Sequence, residues 1–518
     1  VQSHAGQLGA IGALLFGLVY FGALLGFRGL GASTLDLLKG ARHLMGSLSE
    51  NVGPSALTVD HPGAELLLGL TLQPSGGALG WWPVIGLVAG AATLPAIWGI
   101  ARKRGGGFAG LVAVGAFAAI PAVGGAATAP GPSIVFLALW CWFLRLSVVE
   151  QHRWYSTPLL WLAGALLLLI YPAFLVWGLA WLYIELRRSE RDALAEARAL
   201  DGEIAAGGIP LAILLAPVAV LLLATLVHPA FWSDPVAGWT KFFEYALENA
   251  DATFHFAGTT YEHTRPPLWT GLTLYWWFYP ALLVVGSAIG WVLGVAERGL
   301  PGARTSELVR AMGVWGLPLA SLAPWLTRGP SYGAISFELV AAPFVALLFA
   351  EAVTRVVDGL GPLTEPAVGR RLRAGIFGGL LVVALGITAI GSHPVQGSYY
   401  NGAAGGFTRG VSLGLPTSRD EVFPLSVLRR AAEEAGDRGL YVAGNGKLVD
   451  AYAKNSWVDG LKAKSSAFTA GAILRRVGSF ETGTDSVRTN DDAIVDLRRE
   501  AVPLLSVDGI PLYWLERR

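Results

Sequence analysis

Residues 209–235 read IPLAILLAPVAVLLLATLVHPAFWSDP. The run from Ile209 to Val227 carries no charge, and at the helical rise it reaches about 28 Å, close to the depth of a bilayer's hydrocarbon core. It gives way at once to His228-Pro229-Ala230-Phe231-Trp232-Ser233-Asp234-Pro235. An acid followed by proline is a helix start, because proline fits the first helical position. Trp239, Phe242, Phe243 and Ala246 then recur at helical spacing, which predicts a helix lying along the membrane boundary with an aromatic face. A span that opens into such a loop makes the chain a polytopic α-helical membrane protein.

The rest of the chain extends this pattern. Of 518 residues, 53% are hydrophobic and only 14% charged. The deficit is uneven: residues 1–392 are roughly 11% charged and residues 393–518 roughly 25%, the ordinary soluble value. Two domains follow, a membrane domain over 1–392 and an extracytoplasmic α/β domain over 393–518. Apolar runs predict about eleven spans, near 8–30, 81–100, 107–126, 133–149, 156–170, 171–186, 209–227, 268–296, 308–326, 337–355 and 373–391. The first is too long for a signal-peptide core and lacks a clear small-residue cleavage site, so it reads as a retained span. The 156–186 stretch is short for two straight crossings, and Tyr171-Pro172 is its natural break.

Basic residues cluster at Arg102-Lys103-Arg104, at Arg145 and Arg153, at Arg187-Arg188 and Arg191, at Arg298, Arg304 and Arg310, and at Arg355, Arg370, Arg371 and Arg373. With the N-terminus in the cytoplasm of a cell membrane, and with 156–186 crossing twice, every cluster falls on the cytoplasmic side. The C-terminal domain is then outside. A net charge of +1 leaves no footprint for nucleic acid. Cys141 is the single cysteine, so no intrachain disulfide can brace the outer domain.

Two outer loops, 31–80 and 228–267, are long for a membrane protein, which suggests a built site. In the first, Ser33 or Thr34 can cap a helix running to about Leu48. Asp36, Lys39, His43 and Ser47 share one face of it, and Leu37, Ala41, Leu44 and Leu48 share the other. Val59-Asp60-His61-Pro62-Gly63 follows, before the apolar Leu66-Leu67-Leu68. An acid beside a histidine at a membrane boundary can hold a metal or a phosphate, and can equally be a capped turn before a short helix. The second loop carries His255, Tyr261, Glu262, His263 and Arg265 ahead of Pro266-Pro267-Leu268-Trp269.

In this order the pieces resemble the protein O-mannosyltransferase and aminoarabinose-transferase type of polyprenyl-phosphate-sugar glycosyltransferase, the GT-C architecture of glycosyltransferase family 39. Thr34-Leu35-Asp36 stands where that family carries an aspartate after its first span. Asp60-His61-Pro62-Gly63 resembles its acid-His-Pro-Pro step. His228 through Pro235, Phe256-Ala257-Gly258 and Pro267-Leu268-Trp269 resemble its second loop. Tyr332-Gly333 through Phe344 resembles its late loop and following span. His393-Pro394, Ser398-Tyr399-Tyr400-Asn401 and Gly405-Gly406 resemble its exit to the outer domain. Three positions depart from the pattern. Asp36 is followed by Leu37 rather than a second acid, Ala129-Pro130-Gly131-Pro132-Ser133 holds no acid, and Gly63 replaces a proline.

The resemblance implies a GT-C-like fold and an inverting transfer from a polyprenyl-phosphate-linked sugar to a lipid, glycan or protein acceptor on the outer face. By position Asp36 is the catalytic base. Lys39, His61, His263 and Arg265 are candidates for binding the donor. A divalent metal ion on Asp60 and His61 is compatible with that pair and not required by it. No Gly-rich nucleotide loop is present, and a lipid-phosphate donor needs none. The alternative is a non-catalytic protein of the same fold that binds or handles lipid-linked sugars. A transporter fits less well, because the charged residues gather in outer loops rather than at mid-membrane. The outer domain reads as a helix over about 422–436, a strand over 439–443, a helix over about 446–454 and a final strand pair turning at Asp508-Gly509.

Overall fold

The computed structural model describes residues 2–24, 29–30, 62–72, 82–128, 132–147, 156–171, 174, 211–227, 231–232, 234–247, 254–256, 259–261, 275–276, 279–296, 315–320, 331–332, 335–359, 375 and 378–386, and in the C-terminal part 423–424, 440–442, 470–474, 486–488, 494–496, 502–507 and 510–516. Among these, three helices are long and apolar enough to cross a membrane: Gly6–Leu24 within α1 (Gln2–Leu24), α3 (Trp82–Lys103), and Leu339–Gly359 within α11 (Phe337–Gly359). A bent pair, α4 (Gly105–Ala118) and α5 (Pro121–Thr128), makes a fourth if counted as one span. Shorter apolar helices are α6 (Ser133–Ser147), α7 (Ser156–Ile170), α8 (Leu211–Val227) and α10 (Ala281–Ala296). Helical segments at 315–320 and 378–386 fall inside the expected spans 308–326 and 373–391.

The helix order explains itself from the contacts. Gly6 of α1 faces Arg102 of α3, Gly9 faces Trp98, Gly17 faces Ala91 and Phe21 lies on Gly90, so α1 and α3 are antiparallel. The chain reverses at Gly106, whose φ of 74° and ψ of −165° suit a residue without a Cβ. Trp98 then touches Gly110 across the reversal. The expected span 107–126 is instead broken by a 63° bend between α4 and α5. Pro121 is the cause: it cannot donate into the α4 ladder, and it sits at the first position of a new helix. Tyr20 of α1 seals the bend region by donating its hydroxyl to Ala118 O at 2.7 Å.

Helix α6 runs parallel to α3. Arg145 lies over Gly99, and Trp142 donates Nε1–H to Ala92 O at 2.9 Å. The centre of the bundle is Trp140, fully buried, which donates Nε1–H to Val340 O at 3.1 Å and meets Phe344 edge-on at 5.9 Å. That contact seats α11 against α6, and Thr354 reaches Gly105 at its far end. Arg102, Lys103, Arg145 and Arg355 therefore gather at one end of the bundle, called here the basic end. The opposite end carries the C-termini of α1, α5 and α7 and is called the loop end.

Helices α7 and α8 run the same way. Gly164 approaches Val220, and further along Leu169 joins Ala224 and Phe231 in one buried cluster. The expected second crossing within 156–186 lies outside the described residues.

The residues after α1 tie into the C-terminal part. Strand β1 (Gly29–Leu30) pairs antiparallel with β6 (Phe423–Pro424). This corrects the expected helix over 422–436 at its start. Proline pushes its predecessor into extended backbone, so Phe423 cannot open a helix. The remainder of that helix and the one over 446–454 lie outside the described residues. Strand β7 (Leu440–Val442) is where the sequence puts a strand, and it pairs parallel with β8 (Ala470–Leu474). Strands β11 (Val502–Val507) and β12 (Ile510–Glu516) form the expected hairpin, with Asp508-Gly509 between the paired Val507 and Ile510. The sheet order is β11-β12-β8-β7. Pro503 is tolerated because β11 is an edge strand, and the register slips there between Pro503 and Leu505. A separate antiparallel pair joins β9 (Ser486–Arg488) to β10 (Ile494–Asp496).

Candidate functional site at the loop end

The described parts of the two long loops rest on the same helix end. Helix α2 (Pro62–Leu72) begins at the Pro62-Gly63 step and packs on α7. A Cβ on Gly63 would stand 2.7 Å from both Ile170 N and the Leu169 carbonyl carbon. Gly63 is therefore a packing requirement, because it lets α2 start directly against the last turn of α7. Glu65, in the first turn of α2, is 6% exposed, and an acid there faces the positive end of the helix dipole.

The second loop docks on the same turn. Helix α9 (Pro235–Leu247) starts where Asp234-Pro235 predicts it. Asp234 Oδ1 accepts from Ala237 N at 2.9 Å, the N-cap bond that answers an otherwise orphaned donor. The aromatic face is also as read. Phe231 stacks on Trp239 at 4.7 Å, and Trp239 meets Phe242 at 5.3 Å and Phe243 at 5.4 Å. Phe231 and Phe242 are fully buried with Ala165, Leu169 and Ala224. Trp239 donates Nε1–H to Thr225 Oγ1 at 2.7 Å, joining α9 to α8. Burying each phenylalanine is worth about 1.5–3 kcal/mol, enough to fix a short helix that could not stand alone.

Two small hairpins complete the described part. Strand β2 (Phe254–Phe256) pairs antiparallel with β3 (Thr259–Tyr261), with His255 opposite Thr260. Strand β4 (Ser331–Tyr332) pairs with β5 (Ile335–Ser336), which leads straight into α11. Both strand pairs carry segments singled out in the sequence, and neither pairing was read there.

Asp36, Lys39, Asp60, His61, His263 and Arg265 lie outside the described residues, as does the helix expected over 34–48. Among the described residues no group of three or more His, Cys, Asp or Glu side chains could hold a metal. Glu65 is the buried residue that sequence reasoning passed over. Its signal was an acid three positions after Pro62 in an otherwise apolar helix.

No protein-family model matches this chain, and no curated protein matches it in sequence. Among solved structures it is similar to ArnT from Cupriavidus metallidurans bound to undecaprenyl phosphate, at 11% identity over 99% of this chain and 98% of that one, with a TM-score of 0.45. It is likewise similar to the oligosaccharyltransferase AglB from Archaeoglobus fulgidus in complex with an inhibitory peptide and a dolichol-phosphate, at 11% identity over 87% of this chain and 64% of that one, with a TM-score of 0.45. A further similarity is to the Archaeoglobus fulgidus oligosaccharyltransferase tethered to an acceptor peptide, at 14% identity over 87% of this chain and 63% of that one, with a TM-score of 0.44.

Proposed function

We propose that this chain is a membrane glycosyltransferase that moves a sugar from a polyprenyl-phosphate donor to an acceptor hydroxyl at the loop end. The supporting observation is the shared footing of the two long loops. Gly63 and the Phe231–Phe242 cluster both pack on Leu169, so the segments carrying the family-like motifs start from one place. In this reading the acceptor oxygen forms a bond to the anomeric carbon, the bond from that carbon to the lipid phosphate breaks, and the phosphate leaves with the electron pair. Asp36 takes the hydroxyl proton. Lys39, His61, His263 and Arg265 hold the departing phosphate, whose charge is present before and during the reaction. A divalent metal on Asp60 and His61 would act on the same phosphate.

The test is transfer by the purified full chain from a set of polyprenyl-phosphate sugars. Asp36→Asn keeps the shape and removes the base, so turnover falls by about 10²–10⁴-fold. Lys39→Ala weakens donor binding together with turnover, as loss of a contact made in ground and transition states does. Unchanged turnover in Asp36→Asn removes that residue as the base.

A second reading, a non-catalytic protein that binds lipid-linked sugars, is favoured by the acid-free stretch Ala129 through Ser133. Saturable donor binding without transfer by the unmodified chain would select it.

A further inference from the structure

Helices α3 and α6 run parallel and start together at the loop end. Trp142 of α6 is bonded to Ala92 of α3. Trp82 precedes Ala92 by ten residues and Ser133 precedes Trp142 by nine, so the two N-termini stand at about the same height. Phe136 meets Tyr171 edge-on at 5.4 Å, which ties the start of α6 to the end of α7 where both loops are footed. Two positive helix ends therefore lie beside the platform.

The start of α6 has no side-chain cap. Its first helical bond runs from Phe136 N to Pro132 O at 2.8 Å, which makes Pro132 the N-cap. Proline has no side-chain oxygen to offer the Ile134 and Val135 amides, a service that Asp234 performs for α9. Ile134 is fully buried, so bulk water does not take the place of the cap.

A second donor waits at the same place. Trp82 is 3% exposed, and its Nε1–H is buried without a hydrogen-bond partner. Around α3, Gly86 faces Ala127 at the end of α5, whereas Ala92 and Gly99 face α6. At the helical repeat Trp82 falls between these faces, about 40° from Gly86 and about 80° from Ala92. Helical side chains lean toward the N-terminus, so Trp82 stands over the join of α5 and α6. The Thr128 hydroxyl at that join is already spent on Gly124 O and Gly125 O, each at 3.1 Å. A bare helix start and an unanswered indole N–H are both donors, and a group with several acceptor oxygens satisfies them together.

We propose that Trp82 and the N-terminus of α6 form a cradle of uncharged donors for the phosphate of the polyprenyl carrier. This rests on the reading of the chain as a transferase that uses such a carrier. Phosphate suits the cradle because its oxygens accept from several N–H groups at once and its charge is favoured at a helix N-terminus. The phosphate carries its charge before, during and after loss of the sugar, so the cradle contributes to carrier affinity more than to turnover.

The purified full chain, titrated with undecaprenyl phosphate and with undecaprenol, tests this, because the two differ only in the phosphate. The unmodified chain should prefer the phosphate about tenfold or more. Trp82→Phe keeps a ring and removes the donor. It should lower that preference about tenfold, leave undecaprenol binding unchanged, and melt no lower without ligand, because an unanswered donor has gone. Pro132→Asp gives α6 a cap of its own and adds like charge, so it should lower the preference at least as far while raising the melting temperature. Trp142→Phe, whose indole is committed to Ala92 O, should keep the preference. A preference that survives both Trp82→Phe and Pro132→Asp overturns the cradle and leaves the transferase reading standing. Equal loss of both ligands in Trp82→Phe makes Trp82 a structural residue and overturns it as well. No preference in the unmodified chain overturns the cradle and the transferase reading together.

Discussion

The interior of the bundle and the platform at its loop end differ in what draws their elements together. Inside, beside the ring contacts around Trp140, several helix pairs meet closely through glycine. Gly86 abuts the Ala127 carbonyl, Gly290 abuts the Leu348 carbonyl, and Gly17 brings α1 to the α3 backbone. On the platform, α9 is held by large rings: Phe231, Trp239, Phe242 and Phe243. The difference follows from the solvent. Lipid tails are as apolar as leucine, so helices inside a membrane gain little by hiding side chains and much by close backbone approach. A helix at the boundary still has water to escape, so aromatic burial drives its docking.

The largest expected effect comes from breaking a glycine contact. In Gly290→Val the new Cβ would fall on the Leu348 carbonyl, and the α10–α11 contact has no flexible side chain to yield. Folded, monodisperse protein should be lost on size-exclusion chromatography. Gly12→Val, with nothing within 4 Å, should behave as the unmodified chain. Equal behaviour of the two variants would break the comparison.

An intermediate effect is expected on the platform. Phe242→Ala should cost about 3 kcal/mol or more locally. It should release α9 while leaving the bundle intact, read as faster proteolysis near Leu247 with an unchanged bundle melting transition. The smallest effect sharpens the picture. Trp239→Phe keeps most of the ring area but loses the bond to Thr225, whose hydroxyl still donates to Leu221 O at 2.9 Å. About 1 kcal/mol should be lost, seen as a small shift in the same proteolysis assay.

Much of the platform was legible in the sequence because local chemistry sets it. Asp234-Pro235 marks a helix start wherever it stands, and the spacing of Trp239, Phe242 and Phe243 decides which face is buried. Asp508-Gly509 is similarly self-sufficient as a turn. The β2–β3 pairing was not legible, because the sequence between the two strands lacks the Asn-Gly or Asp-Gly step that marks such hairpins. The bend before Pro121 was hidden inside an apolar run long enough to pass as one span. Burial of Glu65 depends on how α2 meets α7, which no periodicity within α2 reveals. Of the candidate site, the footing of both loops is visible in the fold. The residues proposed to carry the chemistry were chosen by resemblance to a family pattern and lie outside the described structure.

The short ladder between Gly29–Leu30 and Phe423–Pro424 has a consequence for biosynthesis. The first strand leaves the ribosome about 390 residues before its partner, which at about 5–20 residues per second is a wait of roughly 20–80 s. During that time the exit of the first helix has no strand to pair with, and neighbouring spans are inserted one after another. Closure of that seam belongs to the last stage of synthesis, so a chain truncated before Phe423 would insert its helices and leave the seam open.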